Sequence, residues 1–175
     1  MDQWFQYVCS PDFNNLVPTT VDARPGATPI PDVETIHVKL RGYLLASHFK
    51  KREDHDLHAE LSATPDWNSD HLIVKVPPGQ EYCAARKALW SLVVSDPAEL
   101  SRQTKVLDTP VEVVVDGYIF LDYAGKRRHH TACKNPGSNN WCDRNGGRGI
   151  PQLNSPKQVR GCWELHPIFS VQAAH

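Results

Sequence analysis

Acidic and imidazole side chains alternate with apolar ones in Asp54-His55-Asp56-Leu57-His58-Ala59-Glu60-Leu61. Such a period of two is the signature of a β-strand. With Leu57, Ala59 and Leu61 facing a core, Asp54, Asp56, His58 and Glu60 stand in a row on the other face. A second strip of the same kind is Cys162-Trp163-Glu164-Leu165-His166-Pro167, where Glu164 and His166 share one face and Trp163 and Leu165 the other. Carboxylates and imidazoles hold divalent cations and move protons near neutral pH. If the two strips meet, Asp54, Asp56 and Glu164 would bind a cation such as Mn²⁺, Mg²⁺ or Zn²⁺. The cation would polarise a phosphoryl oxygen or supply hydroxide. Together with Glu164, His58 and His166 would be the catalytic residues, each imidazole as a ligand or as a general base oriented by a carboxylate. His71 could complete the cluster. The competing expectation is an ordinary solvated strand face. The chain has no HExxH, Walker loop, dinucleotide-binding glycine turn or nucleophile elbow.

The elements that must position these strips can be read in order. Residues 1–33 are rich in Pro, Asn, Asp and Thr without periodicity, and are expected to be an extended N-terminal arm. Residues 34–175 then form a single domain. Residues 35–46 alternate, with Ile36, Val38 and Leu40 facing in and His37, Lys39 and Arg41 facing out. Gly42 suggests a bend in this first strand. Residues 54–62 are the second strand and 71–76 the third. In 80–95 the period changes: Tyr82, Ala85, Leu89 and Val93 recur at helical spacing. A further helical turn is expected around 97–103. Residues 110–122 make strand four, with Gly117 at a bend, and 159–171 make strand five. Between them lies a long polar loop, 124–158. The fold class is therefore mainly β, in the order β-β-β-α-β-β. That is the order of an OB-fold, a small five-stranded barrel.

In such a barrel the loops after strands one and four flank the ligand face. The first carries Lys50, Lys51 and Arg52 beside Phe49. The second, over 124–150, has Lys126, Arg127, Arg128, Lys134, Arg144 and Arg148 against Asp143 alone, a net +5 in a chain of net charge −1. Trp141 stands among these cations. Cations for phosphates and an aromatic for base stacking suit single-stranded nucleic acid or another anionic polymer. A solvated basic loop is the plainer alternative.

No apolar run is long enough to span a bilayer, and no secretory signal is visible at Met1-Asp2-Gln3-Trp4-Phe5. The five cysteines cannot all pair within the chain. Cys83 reads as a buried helix residue. Cys9, Cys133, Cys142 and Cys162 would make two bridges in an exported protein. His129, His130, Cys133 and Cys142 have ligand types that suit zinc, although their spacing is not that of a zinc finger.

The pieces Asp116-Gly117-Tyr118-Ile119-Phe120-Leu121-Asp122, Asn135-Pro136-Gly137-Ser138-Asn139-Asn140-Trp141 and Cys162-Trp163-Glu164-Leu165-His166-Pro167-Ile168, with Asp54-x-Asp56-x-His58, resemble a group of uncharacterised bacterial proteins. Their chains end in a Trp-Glu-(Ile/Leu)-His-Pro signature. This resemblance covers 35–171 and implies no activity. The strand order also resembles staphylococcal-nuclease-like barrels, which cleave nucleic acids with a carboxylate-bound cation and arginines. The sequence expectation is thus a metal-assisted phosphodiester hydrolase of nuclease type. The alternatives are a non-catalytic OB-type binding module and a structural or protein-interaction domain.

Overall fold

A computed structural model describes residues 30, 32–49, 55–94, 104–121 and 159–174, with side chains from 163 onward in the last segment. Within them the elements are β1 (His37–Phe49), β2 (Leu57–Ser62), β3 (His71–Val76), a 3-10 turn (Gln80–Tyr82), α1 (Cys83–Ser91), β4 (Lys105–Leu121) and β5 (Val159–Ala173). The protein is mainly β: one mixed five-stranded sheet and one short helix. β1 pairs with β2 and β4, β3 with β2 and β5, and β5 with β4, so the ring of pairings closes in the order β1-β2-β3-β5-β4. Only the β3–β5 seam is parallel.

Strand alternation fills the interior. Leu57, Ala59 and Leu61 of β2 meet Leu72, Val74 and Val76 of β3, Val113, Val115, Ile119 and Leu121 of β4, and Trp163, Leu165, Ile168 and Val171 of β5. Each of the Val, Leu and Ile side chains taken fully out of water contributes about 1.5–3 kcal/mol. α1 packs on β5 and adds Ala85, Leu89 and Trp90 to the same core. Among the described residues no helix is long and apolar enough to cross a membrane.

The structure departs from the sequence expectations at identifiable points. β2 begins at Leu57, not at 54, because His55 takes a left-handed φ of 61° and breaks the extended run. Its polar face is not solvated: every residue of β2 and of β3 is buried. The irregularity in β1 falls between Leu44 and Ala46 rather than at Gly42. Opposite it, the β4 ladder skips from Val106 to Val111. That gap holds Pro110, which has no N–H to give a ladder, so β4 runs through the proline and starts at 105. Gly117 does sit at a register shift, against β5.

α1 ends at Ser91, earlier than the periodicity predicts. Cys83 is exposed rather than buried. It lies two positions before Ala85, about 200° around a helix of 3.6 residues per turn, and so off the apolar stripe. Of the expected arm, Ile30 and Val33 join the core. Residues 1–29 and 31, the 97–103 turn and the 124–158 loop lie outside the described residues. So do the thiols of Cys9, Cys133, Cys142 and Cys162, and with them both the disulfide and the zinc expectations.

A candidate acid–base wall on strands two, three and five

The register brings the two strips onto one wall. Across β2 and β3, His58 lies opposite Lys75 and Glu60 opposite Ile73; across the parallel seam Ile73 lies opposite Glu164. Residues opposite one another share a sheet face. The alternation that sends Leu57, Ala59, Leu72, Val74, Trp163 and Leu165 inward therefore leaves His58, Glu60, His71, Lys75, Glu164 and His166 together on the outer side.

Three acid–base pairs knit this wall. Glu60 Oε2 lies 2.7 Å from His71 Nδ1, both side chains fully buried. The other ring nitrogen of His71 is buried and finds no hydrogen-bond partner among the described residues. Lys75 Nζ lies 2.6 Å from Glu164 Oε2, with side chains 8% and 4% exposed. Asp56 Oδ2 lies 3.7 Å from His166 Nε2, with side chains 5% and 23% exposed. The last distance is an ion-pair separation rather than a hydrogen bond. Catalytic contacts are commonly long without substrate and tighten when it binds. Phe120 meets the His166 ring edge-on, with centroids 5.0 Å apart. His58 is buried at 4% exposure, and its backbone carbonyl accepts a hydrogen bond from Ser47 Oγ.

Asp56 is aimed by the backbone just ahead of it. The left-handed residue His55 is not a glycine, so it holds conformational strain of about 1–3 kcal/mol. Arg86 of α1 fixes that turn. Its Nη1 donates to the Val76 carbonyl at 2.7 Å and to the His55 carbonyl at 3.3 Å, and its guanidinium lies 5.7 Å from the centre of the Phe49 ring. Burial lowers the Arg86 pKa from its ordinary value, and the Asp56 carboxylate works against that shift. Arg86 is a cation beside the site, and the helical period of 80–95 gives no sign of that role. Lys75 stands on β3 opposite His58, a neighbour set by strand register and so not legible in the sequence.

Comparison of the chain with protein-family models, curated proteins and solved structures finds no match.

Of the expected catalytic residues, His58, Glu164 and His166 lie on the one wall, and Asp56 joins it through His166. Of the expected cation ligands, Asp54 lies outside the described residues, Asp56 faces His166 and Glu164 faces Lys75. Among the described residues no group of three or more His, Cys, Asp or Glu is arranged to hold a metal ion. The expected ligand-binding residues Lys50, Lys51, Arg52, Arg127, Arg128 and Trp141 all lie outside the described residues.

Proposed function

We propose that the chain is an OB-type barrel that hydrolyses phosphodiesters, with His166 as the general base and Asp56 as its orienting carboxylate. The strand order, the parallel β3–β5 seam and the helix between β3 and β4 support the barrel reading. The observation that carries the chemistry is the Asp56–His166 pair, a buried carboxylate facing Nε2 of a half-buried imidazole, whose other nitrogen, Nδ1, is buried and must be uncovered before it takes a proton from substrate. A proton taken by the ring is stabilised by the carboxylate, and the ring is held in one orientation. Arg86, beside Asp56, is the cation placed to face phosphate charge. The basic stretches around Lys51 and Arg127 supply the argument for a polyanionic substrate from sequence alone.

The cation-assisted form of this reaction asks Glu164 to be a ligand. The Lys75 ammonium already neutralises that carboxylate, and an added cation would be repelled by it. No step of the proposed mechanism runs through a metal.

The test is hydrolysis of labelled single- and double-stranded DNA and RNA, with EDTA and with Mn²⁺, Mg²⁺ or Zn²⁺. Cleavage that persists in EDTA is expected. His166→Ala should slow it by about 10²–10⁴-fold, the usual contribution of a positioned general base. Asp56→Asn should slow it less and displace the pH profile. Absence of cleavage under every condition refutes the hydrolase. If the same protein still binds oligonucleotide, with an affinity that falls as salt rises, the non-catalytic binding module stands in its place.

A further inference from the structure

The turn before β2 holds chemistry that the three acid–base pairs leave unused. His55 is exposed and takes a left-handed φ of 61°, a conformation unfavourable for a residue with a Cβ. Backbone outliers of that kind collect at functional sites. The His55 ring centre lies 6.4 Å from that of Phe49, and the Arg86 guanidinium lies 5.7 Å from the same centre. Phe49 therefore has an imidazole and a guanidinium as neighbours. Arg86 gives its hydrogen bonds to the backbone carbonyls of His55 and Val76, and it has no ion-pair partner among the described residues. The residue after His55 is Asp56, which faces His166. The turn thus adds a second imidazole, open to solvent, beside the cation of the proposed site.

Magnitudes decide which substrate such a site can serve. A positioned acid or base contributes about 10²–10⁴-fold, and one charge-stabilising contact about 10²–10³-fold. Two imidazoles and one guanidinium together supply about 10⁶–10¹¹-fold. Phosphate esters are among the slowest substrates of uncatalysed hydrolysis, and enhancements there reach about 10²¹-fold. Water attacking a deoxyribose phosphodiester leaves a wide shortfall, and the Lys75 ammonium opposes the cation at Glu164 that would help to close it. A nucleophile held within the substrate closes much of the gap, because a well-oriented intramolecular group has an effective molarity of about 10⁵–10⁸ M. The ribose 2′-hydroxyl, next to the 3′-phosphate, is such a group, and DNA lacks it.

We propose that the site cleaves RNA through the substrate's own 2′-hydroxyl, with His55 as the acid that completes the step. The inference rests on the hydrolase reading for the roles of His166, Asp56 and Arg86. His166 Nδ1, once uncovered, takes the proton of the 2′-hydroxyl. The 2′-oxygen forms a bond to phosphorus, and the bond from phosphorus to the 5′-oxygen breaks. The leaving 5′-oxygen takes a proton from the protonated His55 imidazole, since an imidazole can give as well as take a proton near neutral pH. Arg86 faces the charge on the non-bridging oxygens. The products are a 2′,3′-cyclic phosphate and a 5′-hydroxyl end. Solvent returns the proton from His166 to His55, so nothing else is consumed.

The probe is a fluorescein-labelled DNA strand carrying one ribonucleotide, assayed in EDTA beside all-DNA and all-RNA strands. Cleavage is expected only on the 3′ side of a ribose, with the cyclic phosphate identified by mass, and a 2′-O-methyl ribose should block it. His55→Ala should slow cleavage of the RNA strand by about 10²–10⁴-fold. His55→Asn, whose side chain suits a left-handed backbone, should keep the fold and show the same loss. Neither variant should slow the release of 4-nitrophenol from a ribonucleoside 3′-(4-nitrophenyl) phosphate, whose leaving group needs no acid, whereas His166→Ala should slow both reactions. Cleavage of the all-DNA or the 2′-O-methyl strand in EDTA refutes the inference and leaves the hydrolase standing. RNA cleavage that EDTA abolishes also refutes it. Equal losses on both substrates in the His55 variants, or no loss on either, overturn the acid assignment. No cleavage of any strand removes the hydrolase and this inference with it.

Discussion

Breaking the Lys75–Glu164 pair offers the most direct measure of how the acid–base wall is held. The ammonium and carboxylate lie 2.6 Å apart and almost out of water. At an effective dielectric of about 20 their attraction is roughly 6 kcal/mol, before desolvation takes most of it back. The net worth of the intact pair is therefore small, but removing one partner leaves a buried charge unanswered. Lys75→Met should cost about 3–5 kcal/mol, and Glu164→Gln a similar amount. Lys75→Met combined with Glu164→Leu should recover most of that loss, because neither charge remains. The assay is equilibrium urea unfolding of all four proteins. With a slope of about 2 kcal/mol per M, each single variant moves its midpoint down by roughly 2 M. Single losses below about 1 kcal/mol that simply add in the double variant would refute the reasoning, since they would mean that water already screens the pair. The same proteins test the cation argument. If the ammonium is what keeps ions from Glu164, Lys75→Met should gain stability on addition of Mn²⁺ while the wild type does not.

Three further perturbations probe the frame around the site. A Cβ at Gly117 would lie 2.6 Å from the Pro167 carbonyl oxygen and 2.8 Å from Ile168 Cδ1. The oxygen is backbone and cannot swing aside, so Gly117→Ala should lower stability by about 2–3 kcal/mol in urea unfolding. Glu34 accepts from the Ile30 N–H at 2.7 Å and from the Leu121 N–H at 3.0 Å, tying the turn before β1 to the end of β4. Glu34→Ala should strand both buried donors and cost about 3 kcal/mol, whereas Glu34→Gln should cost less in the same measurement. Arg41 hydrogen-bonds Glu112 and lowers its carboxyl pKa below the ordinary value. A lowered acid contributes its stability above the unfolded-state pKa and loses it as pH falls through the folded-state value. The Tm difference between wild type and Arg41→Ala should therefore be present near neutral pH and be lost as the pH falls below the ordinary carboxylate range, and it should be small because the pair is solvent-exposed.

Much of the frame was legible because alternation and helical period are local signals. β3 was bounded to the residue, and the inward sets of β2 and β5 follow from their apolar positions alone. The misreadings are places where a distant contact overrides a local rule. Pro110 looked like a strand boundary, but the ladder gap opposite Leu45 tolerates it. Cys83 looked like a helix core residue, but the stripe runs from Tyr82 to Ala85 and leaves it outside. Most consequential, alternating charge in β2 suggested a wetted face. Alternation records only that two faces differ in chemistry; it does not say that either one meets water. The partners of these charges come from β3 and β5, and no pattern within β2 could name them.

The three pairs are not equivalent, and their burial ranks them. Glu60–His71 is sealed, Lys75–Glu164 is nearly so, and Asp56–His166 alone keeps an imidazole in partial contact with solvent. A group that exchanges protons with a substrate has to be reachable: the sealed pair would need a local opening of the sheet, whereas His166, half-buried but with Nδ1 covered, needs only that one atom uncovered. Lys75–Glu164 spans the parallel seam at which strands distant in the chain join, and an ion pair there acts on register and closure. The sequence grouped Glu164 with His166 because they are two residues apart on one strand. The fold separates their work: Glu164 is held by an ammonium as part of the seam, while His166 sits at the open end of the wall, with Asp56 behind it and Phe120 beside it. The experiment this division demands is a comparison of the two substitutions in one preparation. Glu164→Gln should lower the urea midpoint and leave the turnover of the remaining folded protein largely intact, whereas His166→Ala should leave the midpoint near the wild-type value and slow turnover by about 10²–10⁴-fold. The opposite assignment, with Glu164→Gln abolishing cleavage in fully folded protein, would return the chemistry to the carboxylate that the structure ties to Lys75.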